Sequence, residues 1–227
     1  MIPINADNGD TEVRRVLIVD DHELLRRGLA QLIESEPDLR VCGEAPDAPT
    51  ALRLVEAENP DLMIVDLSLG ESHGLELIRQ VKARFPDLGM LVLSMHDEKL
   101  YAERCLRAGA LGYVQKKDAG SKVIEAMRKI AGGEVYVSDQ MTGQILQRLV
   151  DRGSGSEAQQ LQQTLSDREL QLLELIGQGL TTKQIADRLS LSTKTVDTYR
   201  EHLKAKLNLG NIYQLVRYAV AWTLENS

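Results

Sequence analysis

Cysteine is nearly absent from this 227-residue chain: Cys42 and Cys105 stand far apart, outside any CxxC pair or Cys/His cluster. That excludes a disulfide-built scaffold and a thiolate metal site, and it leaves two thiols with apolar neighbours that read as small core residues. Also missing is any apolar run long enough to span a bilayer, so no membrane partner is expected. The first thirteen residues, MIPINADNGDTEV, hold no Lys or Arg and no apolar block. No signal peptide is expected there, and the cytoplasm is the expected compartment. The four histidines (His22, His73, His96, His202) show no ligand spacing and are read as non-catalytic. Positive charge is in deficit, with 27 basic against 34 acidic residues and a net charge of −7. From Thr164 onward the count is eight basic against seven acidic, so the acidity lies in the earlier part. Two parts with different tasks are implied, although a near-neutral second part is only a weak sign of nucleic-acid binding.

What is present is a globular composition, 43% hydrophobic and 27% charged, with length enough for two domains. The first part alternates. Apolar runs at 16–20, 40–45, 61–67, 89–95 and 111–114 read as strands. Between and after them, helical patterns begin near Glu23 and at Ala48, Gly74, Lys99 and Ala119. Continuously apolar strands separated by amphipathic helices call for a parallel sheet covered on both faces. Five such repeats in about 120 residues fit a flavodoxin-like, doubly wound, five-stranded α/β domain. The first helix is expected to bury Leu24, Leu25, Gly28, Leu29, Leu32 and Ile33.

A helical segment over 138–150 follows, then DRGSGSEAQQLQQ (151–163), a polar linker composition. The remaining sequence has helical spacing throughout. Ser166 with Glu169, and Thr181 with Gln184, form capping-box pairs; Ser192 offers a third N-cap, with Leu191 and Val196 spaced for a hydrophobic staple. Gly177 and Gly179 suit the turn between the first two helices, and a final helix runs from about Ile212 to Leu224. Four short helices joined by tight turns give a small all-α helix-turn-helix domain. The expected boundaries are 14–133 for the α/β domain, 134–163 for a linker with a helical segment, and 164–227 for the helical domain.

In open parallel sheets, ligands bind at the carboxyl ends of the strands. Those ends hold Asp20 and Asp21 after the first strand, Asp66 after the third, Ser94 after the fourth and Lys116 beyond the fifth. Three carboxylates on one edge repel one another unless a counter-charge joins them. Hard oxygen donors suit Mg²⁺, which binds few carboxylates and keeps water ligands. With a divalent ion and the Lys116 ammonium to stabilise a transferred phosphoryl group, Asp66 could act as nucleophile and Ser94 as a hydroxyl donor.

The stretches LIVDDHELLRRGL, DLMIVDLSLGESHGLELI, MLVLSMHDE and RAGALGYVQKKDA make the region from Arg14 to Gly132 similar to the receiver domain of two-component response regulators. The resemblance implies that Asp66 is the phosphoacceptor and that Asp20, Asp21, Asp66 and the Ser68 backbone carbonyl bind Mg²⁺. It also makes Ser94 and Tyr113 the switch pair and Lys116 the pocket lysine. Where the family often has proline four residues after the phosphoacceptor, this chain has Gly70, which predicts a more mobile loop.

The tail LSDRELQLLELIGQGLTTKQIADRLSLSTKTVDTYREHLKAKLNL resembles the LuxR-type DNA-binding domain of the NarL/FixJ class. Its matches include Leu165, Glu169, Gly179, Lys183, Ile185, Thr195, Val196 and Lys206. On a helix starting at Thr193, residues Val196, Tyr199, Leu203 and Leu207 form a packing stripe, and the opposite face is predicted to enter the DNA major groove. Lys183, Lys194, Arg200 and Lys204 are candidate phosphate contacts. Thr198 can touch a thymine methyl and Glu201 can accept from cytosine N4; Thr195 and Asp197 complete the expected DNA-binding set. Relatives often carry lysine at Asp197 and histidine at Tyr199. The acids at 197 and 201 repel phosphates, so affinity is expected to depend on dimerisation. The joint expectation is a non-enzymatic transcription regulator, phosphorylated on Asp66 by a sensor histidine kinase and acting on double-stranded DNA as a homodimer. Two other classes are weighed against it. A Mg²⁺-dependent phosphohydrolase of the haloacid-dehalogenase type wants a second Asp where Ser68 stands. A docking module used without phosphate is disfavoured by the complete set of pocket residues.

Overall fold

The computed structural model describes residues 13–69, 72–150 and 164–225. The expectations about the N-terminal segment, the Gly70 loop and the polar linker at 151–163 lie outside the described residues. The first domain runs β1 (Arg14–Val19), α1 (Glu23–Glu34), β2 (Leu39–Ala45), α2 (Ala48–Glu58), β3 (Leu62–Val65), then the two-residue β4 (Ser68–Leu69) and β5 (Ser72–His73). It continues with α3 (Gly74–Arg84), β6 (Gly89–Ser94), α4 (Glu98–Ala108), β7 (Gly112–Gln115) and α5 (Ala119–Ala131). The five main strands are parallel in the order β2-β1-β3-β6-β7, the doubly wound arrangement.

Alternation along each strand supplies two cores. Val16, Ile18, Ile64, Leu91 and Leu93 pack with Leu29 and Ile33 of α1 and with Val123 and Met127 of α5. Leu17, Val19, Met63, Val65 and Val92 face the other way, toward α2, α3 and α4. The apolar face of α1 is narrower than its sequence implies: Leu24 is 85% exposed and Gly28 is also exposed. Residues 25, 29, 32 and 33 already form the stripe that meets the sheet, and 24 and 28 lie one position round from it. Cys105 is buried, while Cys42 is only partly so. The β4–β5 hairpin, too short for any periodic signal, was not foreseen. It leads into Gly74, where a Cβ would come 2.8 Å from the Leu67 Cα and would meet the Asp66 carbonyl.

Helix α6 (Asp139–Val150) folds back on the α/β domain: the Ser138 amide donates to Glu98 at 2.8 Å, and Met141 is buried. The helical domain comprises α7 (Asp167–Gly177), α8 (Thr182–Leu189), α9 (Thr193–Lys206) and α10 (Ile212–Glu225). Both capping boxes form, and Ser192 caps α9. Gly179 takes a positive φ of 83° in the turn, as a residue without Cβ can. Gly177 does not belong to that turn. It ends α7, where a Cβ would come within 2.5 Å of the Ala219 carbonyl and would also strike Thr223, so its glycine serves a close approach of α7 and α10.

Candidate functional site

The carboxyl edge of the sheet gathers the charged residues predicted for it. Asp66 follows β3, its amide bonded to the Val19 carbonyl, and Asp20 follows β1, its amide bonded to Ala45. Adjacent parallel strands end level with one another, so both carboxylates meet at the β1/β3 junction. Lys116, in the 3₁₀ turn after β7, places Nζ 2.7 Å from Asp20 Oδ2 and 2.7 Å from Asp66 Oδ2. Asp20 and Asp66 are each 2% exposed and Ser94 is fully buried. One ammonium thus bridges two buried carboxylates, and Asp21 stands at the more open rim. Burial pushes the Asp66 carboxyl above its ordinary range, against the pull of Lys116, and the Asp20 charge adds to the rise. Burial alone would lower the Lys116 ammonium, but the Asp66 charge and then Asp20 outweigh it and hold it above its usual value.

Ligand atoms of Asp20, Asp21, His22 and Asp66 lie within 4.8 Å of one another. His22 was not singled out in the sequence; its Nδ1 lies 2.6 Å from Asp21 Oδ1. Its amide donates to Asp20 Oδ1 at 2.8 Å, a local turn that aims that carboxylate. Two buried carboxylates on one lysine leave net negative charge in a buried place, Asp21 adds a third carboxylate at the rim, and the oxygen donors suit a hard divalent ion such as Mg²⁺.

The Ser94 hydroxyl accepts from the His96 amide at 3.2 Å. Tyr113 is buried, its hydroxyl donating to the His96 carbonyl at 2.9 Å, and burial pushes its phenol well above the ordinary range. His96 stands in the sequence as a non-catalytic histidine beside the site, and its side-chain contacts are what that reading lacks. Its Nε2 is 3.3 Å from Ser68 Oγ, and its Nδ1 is 3.1 Å from Glu174 Oε2 of α7. The signal was its place two residues beyond Ser94, which no ligand-spacing rule detects.

In the helical domain, Val196 and Leu203 are fully buried, Leu207 nearly so and Tyr199 partly. Lys183, Lys194, Asp197, Thr198 and Glu201 are exposed, so the outer face of α9 is open to solvent. Arg200 turns inward, half-buried, bonded to Thr182 and 3.6 Å from Asp197. Lys204 lies 2.9 Å from Glu201. Thr195 belongs to the α9 cap: its amide donates to Ser192 Oγ at 3.0 Å. Buried Glu169 meets Lys206 at 2.6 Å. Burial would raise its carboxyl, but Lys206 and the Ser166 cap outweigh that and hold it below its usual value.

The family model "Response regulator receiver domain" matches residues 16–128, and "Bacterial regulatory proteins, luxR family" matches 163–219. The chain is 35% identical over 211 residues to the oxygen regulatory protein NreC of Staphylococcus carnosus (strain TM300), covering 91% of this chain and 96% of that one. It is 37% identical over 205 residues to the DNA-binding transcriptional activator DevR/DosR of Mycobacterium tuberculosis (strain ATCC 25618 / H37Rv), covering 90% and 93%. Among solved structures, the RcsB response regulator of Salmonella typhimurium superposes with a TM-score of 0.63 at 23% identity, over 92% of this chain and 98% of that one, a likeness of fold alone.

Proposed function

The chain belongs to the two-component response regulators of the NarL/FixJ class, DNA-binding transcription regulators rather than enzymes, and we propose that phosphorylation of Asp66 by a sensor histidine kinase switches its DNA binding. The observation that carries this reading is the buried bridge Asp20–Lys116–Asp66 at the carboxyl edge of the sheet. An Asp66 carboxylate oxygen attacks the phosphorus of a phosphohistidine; the P–N bond breaks as the acyl phosphate P–O bond forms. Lys116, already 2.7 Å from Asp66, follows the charge onto the transferred oxygens. Asp20, Asp21, Asp66 and the Ser68 carbonyl would hold Mg²⁺, which supplies further charge neutralisation when bound. Ser94 donates its hydroxyl to the acyl phosphate, and Tyr113, tied to the same loop through the His96 carbonyl, follows it.

We take the receiver to span 14–133, the connecting segment 134–163 and the DNA-binding domain 164–227. The outer face of α9 enters the major groove. Lys183, Lys194 and Lys204 contact phosphates, and Thr198 and Glu201 meet base edges. Arg200, held inward by Thr182, serves the fold before it serves DNA. Operator binding is bivalent. Helix α10 buries Leu215, Ala219 and Trp222, yet Ile212, Val216 and Val220 form a second stripe at four-residue spacing, each close to 40% exposed; a second copy of this chain covers that stripe. As a regulator that acts on DNA, the protein works in the cytoplasm. Among the described residues no helix is long and apolar enough to cross a membrane.

Intact-mass measurement of the protein and of Asp66→Asn, after incubation with acetyl phosphate and Mg²⁺, tests the reading. A phosphate-sized gain in the wild type alone is expected, abolished by chelation. A gain that persists in Asp66→Asn would assign the phosphoacceptor elsewhere.

A further inference from the structure

The side-chain hydrogen bonds between the two domains gather on one stripe of α7. Asp167, Gln171 and Glu174, spaced four and three residues apart, all turn toward the receiver. Asp167 accepts from Arg104 at 2.8 Å and from Arg79 at 3.1 Å, and Arg104 also holds the Leu165 carbonyl at 3.0 Å. Glu174 and Gln171 meet a single residue, His96: Glu174 Oε2 is 3.1 Å from Nδ1, and Gln171 Nε2 is 3.4 Å from Nε2. Tyr101, fully buried, packs on the imidazole with ring centroids 4.6 Å apart and donates to the same Glu174 oxygen at 3.4 Å.

The same histidine is anchored to the phosphorylation pocket. Its amide donates to Ser94 Oγ, its carbonyl accepts from Tyr113 and Gln115, and its Nε2 faces Ser68 Oγ, two residues beyond Asp66. The ring's roles are assigned here from its partners' capacities. A carboxylate only accepts, while the Gln171 amide and the Ser68 hydroxyl can donate. Nδ1 therefore carries the hydrogen, and the one lone pair of Nε2 faces two donors.

Resting on the reading of Asp66 as phosphoacceptor, we propose that His96 is the coupling residue through which a phosphoryl group releases the DNA-binding domain. A phosphoryl group on Asp66 offers new acceptor oxygens to Ser94 and Ser68, and both are partners of His96. Re-aiming them moves a residue whose bonds to Glu174 and Gln171 already lie toward the long end of the hydrogen-bond range, where strength falls with small displacements. Docking and phosphorylation then oppose each other reciprocally. In the docked form Lys194, Thr198 and Glu201 stay exposed. The coupling thus governs where the DNA-binding domain is held, while its reading face stays uncovered.

The test uses the full chain, with small-angle scattering on the monomer peak of a sizing column and intact mass on the same fractions. Acetyl phosphate with Mg²⁺ is the probe. The unphosphorylated wild type should be compact and should expand on phosphorylation. His96→Ala and Glu174→Ala should each be expanded without phosphate, and the phosphate-dependent expansion should be lost in both. Glu174 lies outside the receiver core, so its variant reads the contact even if His96→Ala perturbs the pocket. A compact His96→Ala monomer, or an expansion on phosphorylation undiminished in either variant, would overturn the coupling. A wild type that gains phosphate yet stays compact would overturn it too. No mass gain in the wild type would instead sink the phosphoacceptor reading, and the coupling with it; the two failures are told apart by mass.

Discussion

The acids of the receiver pocket and the acids of α9 live under different constraints. Asp20 and Asp66 are almost wholly buried and share Lys116, which comes from a distant part of the chain. Asp197 and Glu201 stand in solvent and pair with Arg200 and Lys204, three residues along the same helix. In the first place the topology dictates the partner, and removing one charge strands another where water cannot reach it. In the second, local spacing provides the partner, and water takes over when it is lost. Chemistry that needs a fixed charge arrangement sits in the first setting, and recognition of a solvated polyanion sits in the second.

The contrast can be broken most forcefully at Lys116. Lys116→Met should destabilise the receiver by about 3–5 kcal/mol in urea unfolding without divalent ions, since two buried carboxylates lose their counter-charge. Adding Asp66→Asn, or Mg²⁺, should recover part of the loss; a near-neutral Lys116→Met would mean that the pocket is not electrostatically frustrated. An intermediate case is Glu169, a buried acid in the DNA-binding domain paired with Lys206. Its depressed pKa contributes stability above the usual glutamate range near 4.5 that is lost as pH falls through the folded-state value. Glu169→Gln keeps a capping oxygen but loses the charge that meets Lys206, and should cost about 1.5–3 kcal/mol at neutral pH, the scale of a hydrogen bond to a charged group. The difference from wild type should vanish in acid, and a pH-independent difference would assign the effect to packing instead.

On the solvent side the effects should shrink. Lys194→Ala should weaken binding to all DNA sequences alike and lower the slope of log affinity against log salt by about one, as measured by fluorescence anisotropy. Glu201→Ala should leave the unfolding midpoint nearly unchanged, within about 0.5 kcal/mol, while changing preference at one base position. A selection experiment on randomised operators reads that change, and an unaltered preference would remove Glu201 from the reading face.

These settings also explain what the sequence reveals. Asp20, Asp66, Ser94 and Lys116 were legible because strand ends in a parallel sheet converge by topology, so position along the chain translates into position in space. The capping boxes were legible because they are local. The face of α1 was overdrawn at Leu24, because a helix shows all its apolar residues while the sheet accepts only one stripe of them. Gly177 was read as a turn residue because a close approach to Ala219 and Thr223 leaves no trace within seven residues of it. His96 and the inward turn of Arg200 depend on side chains from distant or neighbouring elements, and no periodicity encodes those meetings.

The Gly177 contact has a consequence for anyone who would exchange domains among such regulators. Backbone against backbone has no rotamers and transmits displacement without slack, so α7 and α10 amount to one mechanical part. The surface that meets the receiver and the stripe left open on α10 are therefore two faces of a single lever. A chimera joined inside the helical domain would sever that lever. One joined upstream of Leu165, whose carbonyl Arg104 holds, keeps it whole but needs a receiver that supplies its own equivalent of His96.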